Sequence, residues 1–226
     1  MYTWSFTQTK QIMENAGVKV ISFDLPGHGD DKTEIGEVSF AGYVQKVKAE
    51  IAKLSTPITL VGHSLAGFVI SQVAEEMPEK IEKLVFIATM IPHLGKSVFE
   101  IIKEDNQSKL LQNLVFSDDQ SWVTVNMEAL KEVVYNGATI EQINAAAPKL
   151  VRQATQPFFA VVSTSENAFG KIEKTFIVCE HDKILSPNAQ RNMSKAVGIS
   201  KAFTISTGHV PQIENPEELA KLILKA

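Results

Sequence analysis

One window constrains the fold more than any other: Thr59-Leu60-Val61-Gly62-His63-Ser64-Leu65-Ala66-Gly67-Phe68. Three apolar or β-branched residues run into a glycine, a serine follows with small residues two positions to either side, and helix-like spacing continues beyond it. A serine on a sharp strand-to-helix turn needs small neighbours at −2 and +2, because the two backbones nearly touch there. Gly62 and Ala66 fill those places, with Gly67 behind them. The turn lifts the Ser64 hydroxyl clear of the sheet and puts the Leu65 amide at a helix N-terminus, where it can donate to a developing oxyanion. The bland alternative is an ordinary tight turn, but the strand before and the helix after stand in the order the special turn requires.

A chain of 226 residues has ample length for one apolar core, with or without an insert. The net charge of −4 leaves no basic footprint for nucleic acid and no polybasic membrane patch. Cys179 is the single cysteine, which excludes an internal disulfide framework and any multi-cysteine metal site. The first residues have neither a basic nor an apolar leader pattern, and no apolar run approaches the ~18 residues of a membrane span. The expectation is a soluble, cytoplasmic chain; a homodimer stays open.

Along the chain, Gln8–Asn15 reads as a helix closed by Gly17, and Val18–Phe23 as a strand ending in the loop Asp24-Leu25-Pro26-Gly27-His28-Gly29. Phe40, Val44, Val47, Ile51 and Leu54 recur at spacings of four and three, predicting an amphipathic helix behind Ser39. Strands are expected at Ile58–Val61, Leu84–Ala88, Thr175–Cys179 and Phe203–Ile205. Helices are expected at Leu65–Glu76, from Pro187 to about Ala196, and after Asn215-Pro216. From His93 to about Lys171 the texture changes to short helical pieces among polar clusters, with scattered aromatics such as Phe99, Trp122 and Phe159. Too apolar for disorder, this stretch is expected to be an inserted, mostly helical cap (93–171) on a core made of 1–92 and 172–226. Alternating strands and helices predict a mainly parallel sheet covered on both faces.

A serine alcohol needs a base beside it, and a third group to orient that base. Asp182 follows the strand ending near Cys179, and His209 follows the strand ending near Ile205. The carboxyl ends of parallel strands lie along one edge, so Ser64, Asp182 and His209 would converge there. Among rivals, His28 sits in a Pro-Gly loop suited to structural hydrogen bonds. His63, adjacent to the serine, is expected to point elsewhere. His93 and His181 read as solvated or satisfied polar residues. Glu180 is expected to lie on the strand, pointing across the sheet, and Asp24 precedes the serine. No histidine pair has metal-ligand spacing, and Gly27-His28-Gly29 lacks the third glycine and helix of a dinucleotide turn. Neither a cofactor nor a metal is expected.

With these residues placed, the chain resembles the α/β-hydrolase superfamily, and within it the plant methylesterase and hydroxynitrile lyase branch with its bacterial esterase relatives. The stretches that carry this are Phe23–Asp30, Val61–Gly67, Glu79–Phe86, Asp182–Pro187 and Gly208-His209. The resemblance implies a serine hydrolase of small carboxylic esters, with Ser64 as nucleophile, His209 as base, Asp182 as orienting acid and the cap lining the pocket. Lyases of the branch carry an acidic residue before the serine and a lysine after the histidine; His63 and Val210 stand there, which favours an esterase. Family members also begin with an apolar strand ending in His-Gly, whose loop supplies a second oxyanion amide, whereas Met1-Tyr2-Thr3-Trp4 matches the region after that loop. Three readings of this departure remain: a truncated product of a longer gene, substitution by Met1–Phe6, or a catalytically impaired, ligand-binding relative.

Overall fold

A computed structural model describes residues 2–226. In chain order the elements are α1 (Thr7–Asn15), α2 (Phe40–Ala52), β1 (Ile58–His63), α3 (Ala66–Glu76), β2 (Ile81–Ile87), α4 (Val98–Glu104), β3 (Leu114–Phe116), β4 (Trp122–Val125), α5 (Leu130–Val133), α6 (Ile140–Ala146), β5 (Gln153–Ala154), β6 (Glu173–Cys179), α7 (Pro187–Ala196), β7 (Lys201–Ile205), α8 (Pro211–Glu214) and α9 (Pro216–Lys225). Strands β1, β2, β6 and β7 form a parallel sheet in that order, so the loops after β1, β6 and β7 open on one edge.

Local chemistry explains most boundaries. Ser39 caps α2, its hydroxyl accepting the Gly42 amide, and the inward face of α2 buries Phe40, Val44, Val47 and Ile51. Such a cap contributes about 1 kcal/mol, and each fully buried aliphatic roughly 1.5–3 kcal/mol. Ser186 caps α7 and Asn215 caps α9, each followed by proline at the first helical position. Helix α3 is buried on most sides, from Ala66 through Ala74.

The expected strand at Val18–Phe23 does not form. Its residues join no sheet, and Val18 and Ile21 remain 38% and 49% exposed. β-branching favours a strand only where a neighbour completes the ladder, and among the described residues β1 pairs on its β2 side alone. As an edge strand β1 is correspondingly less buried than β2.

Residues 93–171 carry the expected short helices, two of them opened by full capping boxes at Ser97 and Thr139. They also fold a three-stranded antiparallel sheet, β3-β4-β5, absent from the sequence reading. Its strands are only two to four residues long, too short for alternation to register. Val98, Ile101, Ile102 and Phe169 of this segment share one apolar cluster with Phe68, Phe86 and Phe176 of the core. A smaller cluster joins Leu130, Tyr135 and Ile143 to Val210, with Trp4 packed against it.

Candidate active site

Between β1 and α3 the chain turns so sharply that Ser64 takes φ +57°, a left-handed conformation costly for a residue with a Cβ and typical of strained functional turns. A Cβ on Gly62 would lie 2.8 Å from Ile70 Cδ1 and 3.1 Å from the Ala66 carbonyl, and one on Gly67 would collide with Thr89 and the Met90 carbonyl. Thr89 secures the turn from β2's end. Its hydroxyl accepts the Gly67 amide at 3.0 Å and donates to the Ser64 carbonyl.

Three loops of the parallel edge meet here. His209 Nε2 lies 2.9 Å from Ser64 Oγ, and His209 Nδ1 lies 2.8 Å from Asp182 Oδ2. The Asp182 carboxylate is an acceptor only, so Nδ1 carries the proton and Nε2 presents its lone pair to the serine hydroxyl. Asp182 and His209 are both 4% exposed, which keeps water from competing for these bonds.

The carboxylate is held by more than the imidazole. Oδ1 accepts the amides of Ile184 and Leu185 at 2.8 and 3.0 Å, and Oδ2 also accepts Gln190 Nε2–H at 2.9 Å. Gln190, fully buried, further donates to the Leu185 carbonyl and accepts the Cys179 amide. The sequence reading missed it, although a glutamine on an inward-facing helical position must find partners. Residues 93–171 grip the same loop: Asn136 Nδ2 donates to the His181 carbonyl, the Lys109 amide to the Lys183 carbonyl and Ser108 Oγ to the Ile184 carbonyl.

The other named residues fall as follows. His63, expected to point away from Ser64, donates Nε2–H to the His209 carbonyl at 2.6 Å, its ring 4.8 Å from that of His209. Burial holds its pKa well below the usual histidine value, and the neighbouring His209 charge adds to this. His28 bonds the Pro26 carbonyl and Gln153, and burial lowers its pKa to about 4. His93 bonds the Ile91 carbonyl and His181 bonds Ser206. Asp24 accepts from Thr3, and Glu180 pairs with Arg191. The Leu65 amide, at the N-cap of α3, donates to no backbone carbonyl or side chain among the described residues.

A cavity of about 190 Å³ opens on Ser64 and His209. Its walls come from the N-terminal turn (Trp4, Ser5), from Leu65 and from Tyr135 and Leu150 of the 93–171 segment. Burial pushes the Tyr43 and Tyr135 hydroxyls, which also line it, up to about 12. No lysine, arginine, aspartate or glutamate stands among the described residues that line it. No helix among the described residues is long and apolar enough to cross a membrane.

Comparison with known proteins agrees with this architecture. Methylesterase 7 of Arabidopsis thaliana is 23% identical over 235 residues, covering 98% of this chain and 90% of its own length. Salicylic acid-binding protein 2 of Nicotiana tabacum is 25% identical over 238 residues, covering 98% and 91%. A crystal structure of polyneuridine aldehyde esterase superposes with a TM-score of 0.89 at 22% identity, over 98% of this chain and 93% of that one. The model of the alpha/beta hydrolase family matches residues 2–222, and this chain belongs to that family.

Proposed function

We propose that the chain is a serine hydrolase of small, uncharged carboxylic esters, working through an acyl-enzyme. The observation that carries the reading is the pair of hydrogen bonds linking Ser64 Oγ, His209 and Asp182. His209 Nε2 takes the hydroxyl proton as Ser64 Oγ attacks the ester carbonyl, and Asp182 stabilises the resulting imidazolium. The carbonyl oxygen becomes an oxyanion facing the Leu65 amide, worth on the order of 10²–10³ in rate for one such donor. Collapse returns the proton to the departing alcohol; water then repeats the sequence and frees the acid. The 93–171 segment acts as the cap, and its Tyr135 and Leu150 shape the acyl or alcohol pocket.

Two features narrow the substrate. A cavity near 190 Å³ suits a short ester, and a described lining without Lys, Arg, Asp or Glu favours a neutral one. Cyanohydrin cleavage would need a cation for the departing cyanide, whereas no lysine or arginine stands among the described residues lining the cavity and Val210 follows His209.

The test is a panel of chromogenic short-chain esters with wild type and Ser64→Ala, alongside fluorophosphonate labelling. Ser64-dependent turnover and a covalent adduct on Ser64 are expected. Equal rates in both proteins would sink the reading. A folded protein that never labels would mark a ligand-binding relative instead.

A further inference from the structure

Glu214 has no role in the chemistry above, yet it lies against the loop that holds the base. It ends α8, five positions after His209, and its Oε2 accepts the Gly208 amide at 2.7 Å. The amide of Gly137, from the 93–171 segment, faces the same carboxylate. A Cβ on Gly137 would collide with Oε2, and a Cβ on Gly208 would lie 2.8 Å from Oε1 while colliding with Asn136 Oδ1. The carboxylate is thus clasped between two glycines, one beside His209 and one on the segment that covers the site. Asn136 in turn donates to the His181 carbonyl, next to Asp182.

The hydrogen bonds of this clasp do not use every oxygen in it. Glu214 Oε1 and Asn136 Oδ1 are both buried without a partner. Burial, with Asp182 adding to it, leaves the Glu214 pKa raised against the opposing Gly208 and Gly137 amides and the His209 charge. A glutamine of the same shape would accept the Gly208 amide without the cost of desolvating a charge. The titratable groups facing Glu214 are His209, Asp182 and Cys179, and only His209 can become positive. His209 itself faces Asp182, Ser64, neutral His63 and Glu214.

We propose that Glu214 is a positioning residue for His209: it fixes the histidine loop through the Gly208 amide and supplies, beyond Asp182, a second negative charge that favours the imidazolium formed when His209 takes the Ser64 proton. This rests on the serine-hydrolase reading. Gly137 and Asn136 make the same clasp a joint between the 93–171 segment and both catalytic loops, so the segment's seating and the base's position are set together.

The experiment measures kcat, KM and the pH profile of kcat/KM on p-nitrophenyl acetate for wild type, Glu214→Gln, Glu214→Asp and Ser64→Ala, with thermal unfolding of each. Glu214→Gln is expected to keep KM within about twofold, lower kcat roughly fivefold to tenfold, and move the acid limb to lower pH by about half a unit. Glu214→Asp, which retains the charge, is expected to return the limb to its wild-type position. A wild-type limb in folded Glu214→Gln overturns the proposal whatever its kcat, because a purely structural contact leaves the limb in place. If Glu214→Gln does not fold, Glu214→Asp decides: lowered kcat with an unmoved limb is the expected result, and a limb displaced by half a unit or more overturns it. Undiminished turnover in Ser64→Ala would instead remove the serine-hydrolase reading itself, whereas Ser64-dependent turnover with an unmoved limb in Glu214→Gln sinks only the role of Glu214.

Discussion

His63 Nε2 donates to the backbone carbonyl of His209 across 2.6 Å, so the residue preceding Ser64 holds the residue proposed as its base. Both rings are buried and lie 4.8 Å apart. The bond joins the end of β1 to the loop after β7, two strands that do not touch within the sheet. It therefore closes this edge of the sheet sideways, independently of the Ser64–His209 bond. His63→Phe fills the space but leaves the His209 carbonyl buried without a donor, which costs about 1–3 kcal/mol. Urea unfolding is expected to show that loss together with a lower kcat. A variant within 0.5 kcal/mol of wild type, on that ~1–3 kcal/mol scale, would mean the bond contributes nothing net.

Asp182 gives the second prediction. Its four donors include two backbone amides on Oδ1, while Oδ2 takes His209 and Gln190. Asp182→Asn must turn its NH₂ toward one of these groups of donors. Turned toward the backbone it clashes with two N–H groups, so the amide faces His209 and Gln190 instead. The imidazole is then driven to the tautomer with its proton on Nε2, pointing at Ser64 and unable to accept. By the behaviour of such triads kcat should fall on the order of 10⁴. Stopped fluorophosphonate labelling at Ser64 reports the same loss without a substrate; labelling at the wild-type rate would exclude Asp182 as the orienting acid.

The parts of this site that were legible in the sequence share one property. Ser64, Asp182 and His209 each lie within four residues of the end of a strand, and strand ends are marked by local signals such as Gly62 or Gly208-His209. What escaped depends on groups that meet only in three dimensions. Gln190 is an unremarked polar residue until α7 packs it under Asp182, and Glu214 reads as a helix-end acid until Gly137 arrives from a distant turn. Val18–Phe23 failed for a related reason: its β-branched residues meet the local requirement of a strand, but pairing is a property of the neighbour. The miniature sheet β3-β4-β5 lies at the opposite limit, with too few residues per strand to leave a pattern.

The buried histidines predict how stability responds to acid. In the unfolded chain a histidine titrates near 6.5, whereas His28 in the folded protein titrates at about 4 because burial disfavours its charge. Between those values the unfolded state binds the extra proton, so the His28 contribution is full above pH 6.5 and drains away as pH falls toward 4. The span corresponds to roughly 3 kcal/mol at most. His63, depressed in the same direction, steepens the decline. His28→Gln should flatten it, and denaturant midpoints at pH 7, 5.5 and 4 measure both slopes. Parallel curves for variant and wild type would show that His28 accepts its proton without unfolding.

The unpaired side of β1 sets the last expectation. Along a strand, alternate N–H and C=O groups point to opposite edges, so part of the β1 backbone meets no ladder partner while β2 and β6 are paired on both sides. Residues 19–23 make no backbone hydrogen bonds of their own among the described residues; the nearest is the Val18 amide to the Met13 carbonyl. Amides without such bonds open without disrupting the core, and their exchange tracks local rather than global stability. Hydrogen exchange should therefore divide the sheet. Amides of β2 and β6 should be protected to the global limit, alternate amides of β1 should exchange orders of magnitude faster, and those of 19–23 fastest of all. Uniform protection across β1 and β2 would show that something completes the ladder in solution, and the edge position of β1 would then have to be abandoned.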